Sequence, residues 1–279
     1  MKISIVITVY NIEKYIKECL DSCINQTHRD IEIIVVDDCS PDKSMDIVRN
    51  YEDERIKIVT HKENMGAGWA RRHGIETATG DYVITVDGDD WLSEDFIEKL
   101  VEGAERTDAD IVSGSLTAVY SDGRRECHEI PVGVSEGFQK FRDYGQGKVI
   151  FLANKMVRRS MYDLVPYCTR RYCEDTPVIL PLLYHANKVV YVDTQGYYYR
   201  QHQTSLCHGV NKFEDALFKA ICSTECHKFF KDKGDMYAHL ISKQELVEWM
   251  KVIARTVTDE LARKYAKELD MLFSGMKNY

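Results

Sequence analysis

Asp87-Gly88-Asp89-Asp90 puts three carboxylates into four residues, directly after the apolar run Tyr82-Val83-Ile84-Thr85-Val86. Two carboxylates separated by one glycine supply hard oxygen ligands of the kind that hold Mg2+ or Mn2+ against phosphate groups, and the glycine lets a ligand come close to the backbone. The same spacing occurs in solvated acidic turns that cap a helix. Position separates the two readings here: the motif ends an apolar run, and Asp90 adds a third negative charge whose repulsion a divalent cation relieves. Asp37-Asp38 ends another apolar run. A carboxylate there can accept a base N–H or ribose hydroxyls, or can cap the helix expected over 43–52. Asn64, Gly66 and Arg71 form a third group, with glycine at a helix start for close approach of a phosphate or nucleoside and arginine as a two-pronged donor. Glu174-Asp175, followed by Thr176-Pro177, offers a carboxylate that could take a proton from a hydroxyl, although the same residues also make an ordinary helix start.

These residues need a scaffold that brings them to one edge. Residues 3–9 are a continuous apolar, β-branched run, the pattern of a strand covered on both faces. Ile12, Tyr15, Ile16, Cys19, Leu20, Cys23 and Ile24 then recur at helical spacing. The strand pattern returns at 31–36, followed by turn and cap chemistry at Asp37-Asp38-Cys39-Ser40-Pro41. A third strand is expected over 55–60, and a helix opens at Gly66-Ala67-Gly68 and closes at Thr79-Gly80. The fourth strand covers 81–86, and Ser93 is expected to cap a helix with Phe96, Ile97, Leu100, Val101 and Ala104 on one face. Four strand–helix units in about a hundred residues predict an α/β fold with a Rossmann-like, doubly wound sheet, in which ligands bind at the carboxyl ends of the strands. Both acidic clusters fall at such ends. Beyond Asp108 short strands are expected around 109–120 and 127–132, a helix after Glu174, a strand pair over 188–200, and a helical extension from Asn211. The chain therefore divides into 1–108, 109–210 and 211–279, without a compositional hinge between them.

At 279 residues, with 44% apolar and 29% charged residues, the composition is that of a globular α/β protein. A formal charge of −8 gives no basic face for nucleic acid, so DNA and RNA are excluded as expected partners. No stretch of 18 apolar residues predicts a membrane span, and Met1-Lys2-Ile3 runs into a strand rather than a secretory signal. Nine cysteines, two of them on the buried stripe of the first helix, point to a reducing cytoplasmic setting. Cys222, Cys226 and His227 lack a second ligand pair, so packing is expected rather than zinc. Leu246, Val247, Met250, Ile253, Ala254, Val257, Leu261 and Tyr265 recur at helical spacing among charges of both signs. Core packing or a homodimer contact is favoured over docking on a membrane surface.

Taken in order, these pieces resemble the family 2 glycosyltransferases, inverting enzymes with the GT-A fold. The resemblance is carried by Ser4-Ile5-Val6-Ile7-Thr8-Val9-Tyr10-Asn11, Val35-Val36-Asp37-Asp38-Cys39-Ser40-Pro41-Asp42, Asn64-Met65-Gly66, Ala70-Arg71-Arg72-His73-Gly74 and Asp81 to Asp90. Arg72-His73 departs from it where asparagine is common. A thinner match runs through Ala153-Asn154-Lys155-Met156, Glu174-Asp175 and Tyr199-Arg200-Gln201-His202-Gln203-Thr204-Ser205.

The resemblance implies that 1–108 binds a nucleotide-sugar donor, that 109–210 binds the acceptor and carries the base, and that a sugar passes with inversion to a hydroxyl of a saccharide or lipid-linked acceptor in cell-surface polysaccharide or glycoconjugate synthesis. A UDP-sugar is the expected donor. Thr8, Tyr10, Asp38, Asn64, Gly66, Arg71, Asp87 and Gly88 would contact the donor, and Asp89 with Asp87 would hold Mn2+ or Mg2+. Asp175 would be the catalytic base, and Asn154, Lys155, Glu174, His202 and Ser205 would meet acceptor or diphosphate. Such an enzyme is expected in the cytoplasm, open to peripheral association at the inner membrane face. Two alternatives stand beside it: a metal-dependent nucleotidyltransferase, disfavoured because Tyr10-Asn11-Ile12-Glu13 replaces a glycine-rich loop, and a non-catalytic nucleotide-sugar-binding subunit. A NAD-dependent dehydrogenase lacks its G-x-G-x-x-G motif.

Overall fold

The computed structural model describes residues 1–130, 132–137, 139–140, 143, 151–166, 175–202, 211–234 and 236–276, with the backbone alone over 236–242. Glu174 and Ser205 lie outside the described residues. Strands β1 (Ile3–Val9), β2 (Ile31–Asp37), β3 (Ile56–Thr60) and β4 (Tyr82–Asp87) are parallel neighbours in the order β3-β2-β1-β4. In register Thr8 stands beside Val36 on one side and Asp87 on the other, so the two acidic turns leave the sheet at one level.

Alternate residues of β1 feed two cores. Ile3, Ile5 and Ile7 pack under α1 (Ile16–Ile24), α2 (Ser44–Arg49) and α4 (Phe96–Thr107). Val6 faces the other way, toward α3 (Ala67–Thr77) and α5 (Thr176–His185). A strand apolar on both faces is therefore required, which is why the first strands read as unbroken hydrophobic runs. A Cβ on Gly74 would collide with Val6, so this glycine sets how closely α3 lies on β1.

The second half completes the same sheet. Strand β10 (Lys155–Arg158) runs antiparallel between β4 and β6 (Ile111–Ser113), and β11 (Lys188–Tyr191) with β9 (Gly133–Glu136) extends the edge. A smaller sheet has the order β5 (Trp91–Leu92), β12 (Tyr197–Gln201), β7 (Leu116–Tyr120), β8 (Arg125–His128).

Four local expectations change. The segment 109–120 is two strands in different sheets, divided at Gly114, where a Cβ would meet Thr194 at 2.6 Å and Phe96 at 2.7 Å. The expected pair over 188–200 divides in the same way: β11 and β12 belong to different sheets and do not pair. The strand expected over 127–132 begins earlier, and β8 ends at His128. Ser93 does not cap α4, because its hydroxyl donates to Asp95 at 2.7 Å while its carbonyl accepts Phe96 N.

The helical extension forms a third core. Asn211 and Glu214 make a reciprocal capping box at the start of α6 (Lys212–Lys233). Phe213, Leu217 and Ile221 of that helix pack with Leu246 and Ile253 of α7 (Met236–Thr256) and with Leu272. After α8 (Asp259–Lys264), α9 (Ala266–Met276) closes the described chain. Cys222, Cys226 and His227 are buried in α6. Val247 and Val257, from the stripe considered as a dimer contact, are exposed. Among the described residues no helix is long and apolar enough to cross a membrane.

Candidate active site

The turn after β4 sorts its three carboxylates into different surroundings. Asp90 is buried, accepts the Tyr197 hydroxyl at 2.9 Å and accepts Arg200 N at 2.8 Å. Burial, then the charges of Asp89 and Asp87, push its carboxyl well above the usual range. Asp90 thus ties the turn to β12 instead of facing a ligand. Asp87 is partly open and binds Arg71 Nη2 at 3.0 Å. Its low-dielectric surroundings raise its carboxyl, Asp89 and Asp175 add repulsion, and the Arg71 charge opposes the rise. Asp89 faces His202, with Oδ2 to Nε2 at 2.8 Å, and the His202 ring lies 4.7 Å from that of Tyr15.

Arg71 connects this turn to the second half. From α3 its other terminal nitrogen reaches Asp175 Oδ1 at 2.8 Å, so one buried guanidinium spans two carboxylates. Asp175 occupies the cap position of α5, but its side chain makes no cap bond; Oδ2 instead accepts Leu152 N at 3.2 Å. Two carboxylate oxygens offer about four lone-pair sites, so roughly half of them remain for another donor. An ordinary helix start would direct this carboxylate at its own helix.

The end of β2 is built differently. Asp37 accepts Ser40 N at 2.8 Å, and Asp38, 4% exposed, accepts Met65 N and Gly66 N at 2.8 Å each. Neither caps α2, whose first turn is served by Asp42 through Ser44 N at 3.1 Å. Asp38 therefore shapes the loop holding Asn64 and Gly66, and Gly66 adopts φ +94° at the foot of α3, a conformation that favours glycine. Thr8 is half-buried between the two acidic ends, and Tyr10 is exposed beyond it.

Gly88 has a different reason from the expected one: a Cβ there would lie 2.6 Å from the Thr8 carbonyl, so its smallness serves the contact with β1. Asn154 and Lys155 are also not presented to an acceptor. Asn154 is buried at φ +58° and donates to Gly114 O at 2.6 Å, while the Lys155 ammonium is enclosed and donates to Asn154 Oδ1 at 2.7 Å. Burial lowers the Lys155 ammonium to about 7, against a pull upward from Asp175.

Among the described residues no three His, Cys, Asp or Glu side chains form a ready metal cage. The donor set fits Mg2+ or Mn2+ in another way, because these ions are held by one or two carboxylates plus substrate phosphates. Asp89, with Asp87 and the excess of negative charge around them, provides that partial set.

Several participants escaped sequence reasoning. Arg200 donates through Nε to the Asp89 carbonyl at 2.8 Å, with its guanidinium lodged 4.3 Å from the Trp91 ring and 4.9 Å from that of Tyr15. Its place in the Tyr199 to Ser205 segment is a signal that could have found it. Tyr197, His61 and the Leu152 amide carry no such signal.

The doubly wound mixed sheet, its carboxyl-edge site and the helical extension define a GT-A-type fold. TarS of S. aureus, in its 1–349 crystal structure in complex with UDP-GlcNAc, shares that fold with a TM-score of 0.71 at 20% identity, over 99% of this chain and 81% of that one. The family model for glycosyl transferase family 2 matches residues 4–165, and the chain belongs to that family. It is 34% identical over 229 residues to EpsH of Bacillus subtilis (strain 168), covering 78% of this chain and 65% of EpsH. It is 33% identical over 215 residues to EpsJ, an uncharacterized glycosyltransferase of the same organism, covering 73% of this chain and 62% of EpsJ. The match thus spans slightly under two thirds of each relative.

Proposed function

We propose that this chain transfers a sugar, with inversion, from a UDP-sugar to a hydroxyl of a saccharide or lipid-linked acceptor in cell-surface polysaccharide or glycoconjugate synthesis. The observation that carries the reading is the Arg71 bridge, which joins the carboxylate assigned to the donor side, Asp87, to the one assigned as base, Asp175. The UDP-GlcNAc complex of TarS supports a uridine donor.

In this reading the acceptor oxygen attacks the anomeric carbon while Asp175 takes its proton, and the bond to the diphosphate breaks on the opposite face. One displacement inverts the configuration without a covalent sugar–enzyme intermediate. Arg71 and the Leu152 amide fix the direction of the Asp175 carboxylate, which is the positioning that a general base requires. Mn2+ or Mg2+, held by Asp89 with Asp87, would stabilise charge on the departing diphosphate as a Lewis acid. The reaction is placed in the cytoplasm, with lipid-linked acceptors met at the inner membrane face.

The test is a panel of nucleotide sugars with Mn2+, read first by thermal shift and then by nucleoside diphosphate release with candidate acceptors. A UDP-sugar should raise the melting temperature by mass action. Release of pyrophosphate instead of nucleoside diphosphate would identify a nucleotidyltransferase, and binding without turnover over any acceptor would identify a non-catalytic subunit.

A further inference from the structure

Asp38, His61 and His73 form one hydrogen-bonded chain, with Asp38 Oδ1 to His61 Nδ1 at 2.8 Å and His61 Nε2 to His73 Nδ1 at 2.7 Å. Asp38 and His61 are buried, and His73 is half-buried with its ring 5.5 Å from that of Trp69. The same Asp38 carboxylate receives Met65 N and Gly66 N. The 61–66 loop is therefore gripped at its first residue and its last two by one carboxylate, and His73 ties that grip to α3. Three of about four lone-pair sites on Asp38 are filled, leaving one on Oδ2.

The tautomers are assigned from what each partner can accept. An ionised Asp38 only accepts, so His61 Nδ1 carries a proton; neutral His61 then has a bare Nε2, which accepts the Nδ1–H of His73.

We propose that His61 and His73 are positioning residues for the donor: they hold Asp38, and through it the 64–66 loop, in the shape that receives the nucleoside. The inference rests on the nucleotide-sugar reading. Neither ring touches the reacting atoms, so the effect falls on donor affinity rather than on the chemical step.

The experiment titrates UDP with Mn2+ into wild type, His61→Ala and His61→Asn by calorimetry, with kcat and KM measured in parallel. His61→Ala should weaken UDP and raise donor KM about 10-fold, with kcat within about 3-fold, as expected for a lost buried hydrogen bond. His61→Asn supplies an amide N–H in place of Nδ1–H and should restore affinity to within about 3-fold of wild type. If His61→Ala does not fold, His73→Ala at the half-buried end replaces it, with an expected loss of about 3-fold. Wild-type affinity in the alanine variant, or no restoration in a folded His61→Asn, overturns the inference alone. Wild-type protein that binds no nucleoside diphosphate overturns the nucleotide-sugar reading and this inference with it.

Discussion

The acidic ends of β2 and β4 leave the same sheet edge at the same level, yet they handle charge in opposite ways. At β2 the Asp38 carboxylate is satisfied by two backbone amides and an imidazole, and it stabilises a loop. At β4 the carboxylates of Asp87, Asp89 and Asp90 repel one another, and Asp175 from the other half joins them, with Arg71 shared between two of the four. Two acidic strand ends that look alike in sequence thus divide into one whose carboxylate is bound up in a loop and one that keeps unbalanced negative charge. Perturbed groups gathered at one sheet edge are a physical pointer to a functional site.

Neutralising the base should give the largest effect at the β4 end. Asp175→Asn keeps a partner for the Leu152 amide but cannot take a proton, so turnover should fall about 1,000-fold or more while UDP affinity stays within about 3-fold. Full turnover would remove Asp175 from the mechanism. Asp89→Ala should reduce metal-stimulated UDP binding about 100-fold, read by titration with and without Mn2+. An unchanged response to metal would dissolve the contrast between the two ends.

The β2 end should respond in stability. Asp38→Asn sets an amide NH2 toward backbone N–H donors or leaves one of them unmet, at a cost of about 1–3 kcal/mol in thermal or urea unfolding. Unchanged stability would mean that the loop does not depend on this carboxylate.

The smallest effect has the opposite sign. Lys155, enclosed behind Asp175, has its ammonium held down to about 7 by burial, against an ordinary value of 10.5. A lysine lowered on folding weakens the fold most below about pH 7, where it is charged in both states, and this cost fades as pH rises toward the unfolded value. Lys155→Met should therefore stabilise the protein by about 1 kcal/mol at neutral pH, with the gain shrinking toward pH 10. A gain that grows with pH would contradict the sign.

The parallel strands β1 to β4 were legible because burial on both faces writes a continuous apolar run, a local signal. The position of Asp87 and Asp89 at the carboxyl edge was legible because strand ends are predictable positions in such a sheet. What lay hidden depends on contacts between distant residues. Nothing near Gly114 announces that Phe96 and Thr194 press against it and divide the strand. Asp38 looked like a ligand contact or a cap because the amides it binds lie 27 and 28 residues further on. Lys155 was expected to meet a ligand because a charged residue in a four-residue strand gives no warning that a sheet closes around it.

The antiparallel placement of β10 bears on how the chain reaches its native state. Met156 pairs with Ile84 and Val157 with Val83, so β4 obtains its second neighbour only after some seventy further residues are in place. Long-range pairing of this kind slows folding, and until it forms the nascent chain carries a bare, apolar strand edge open to pairing with other molecules. The first 108 residues, taken without β10, would leave that edge of β4 unpaired. The strand that covers this edge comes shortly before the segment that holds Asp175.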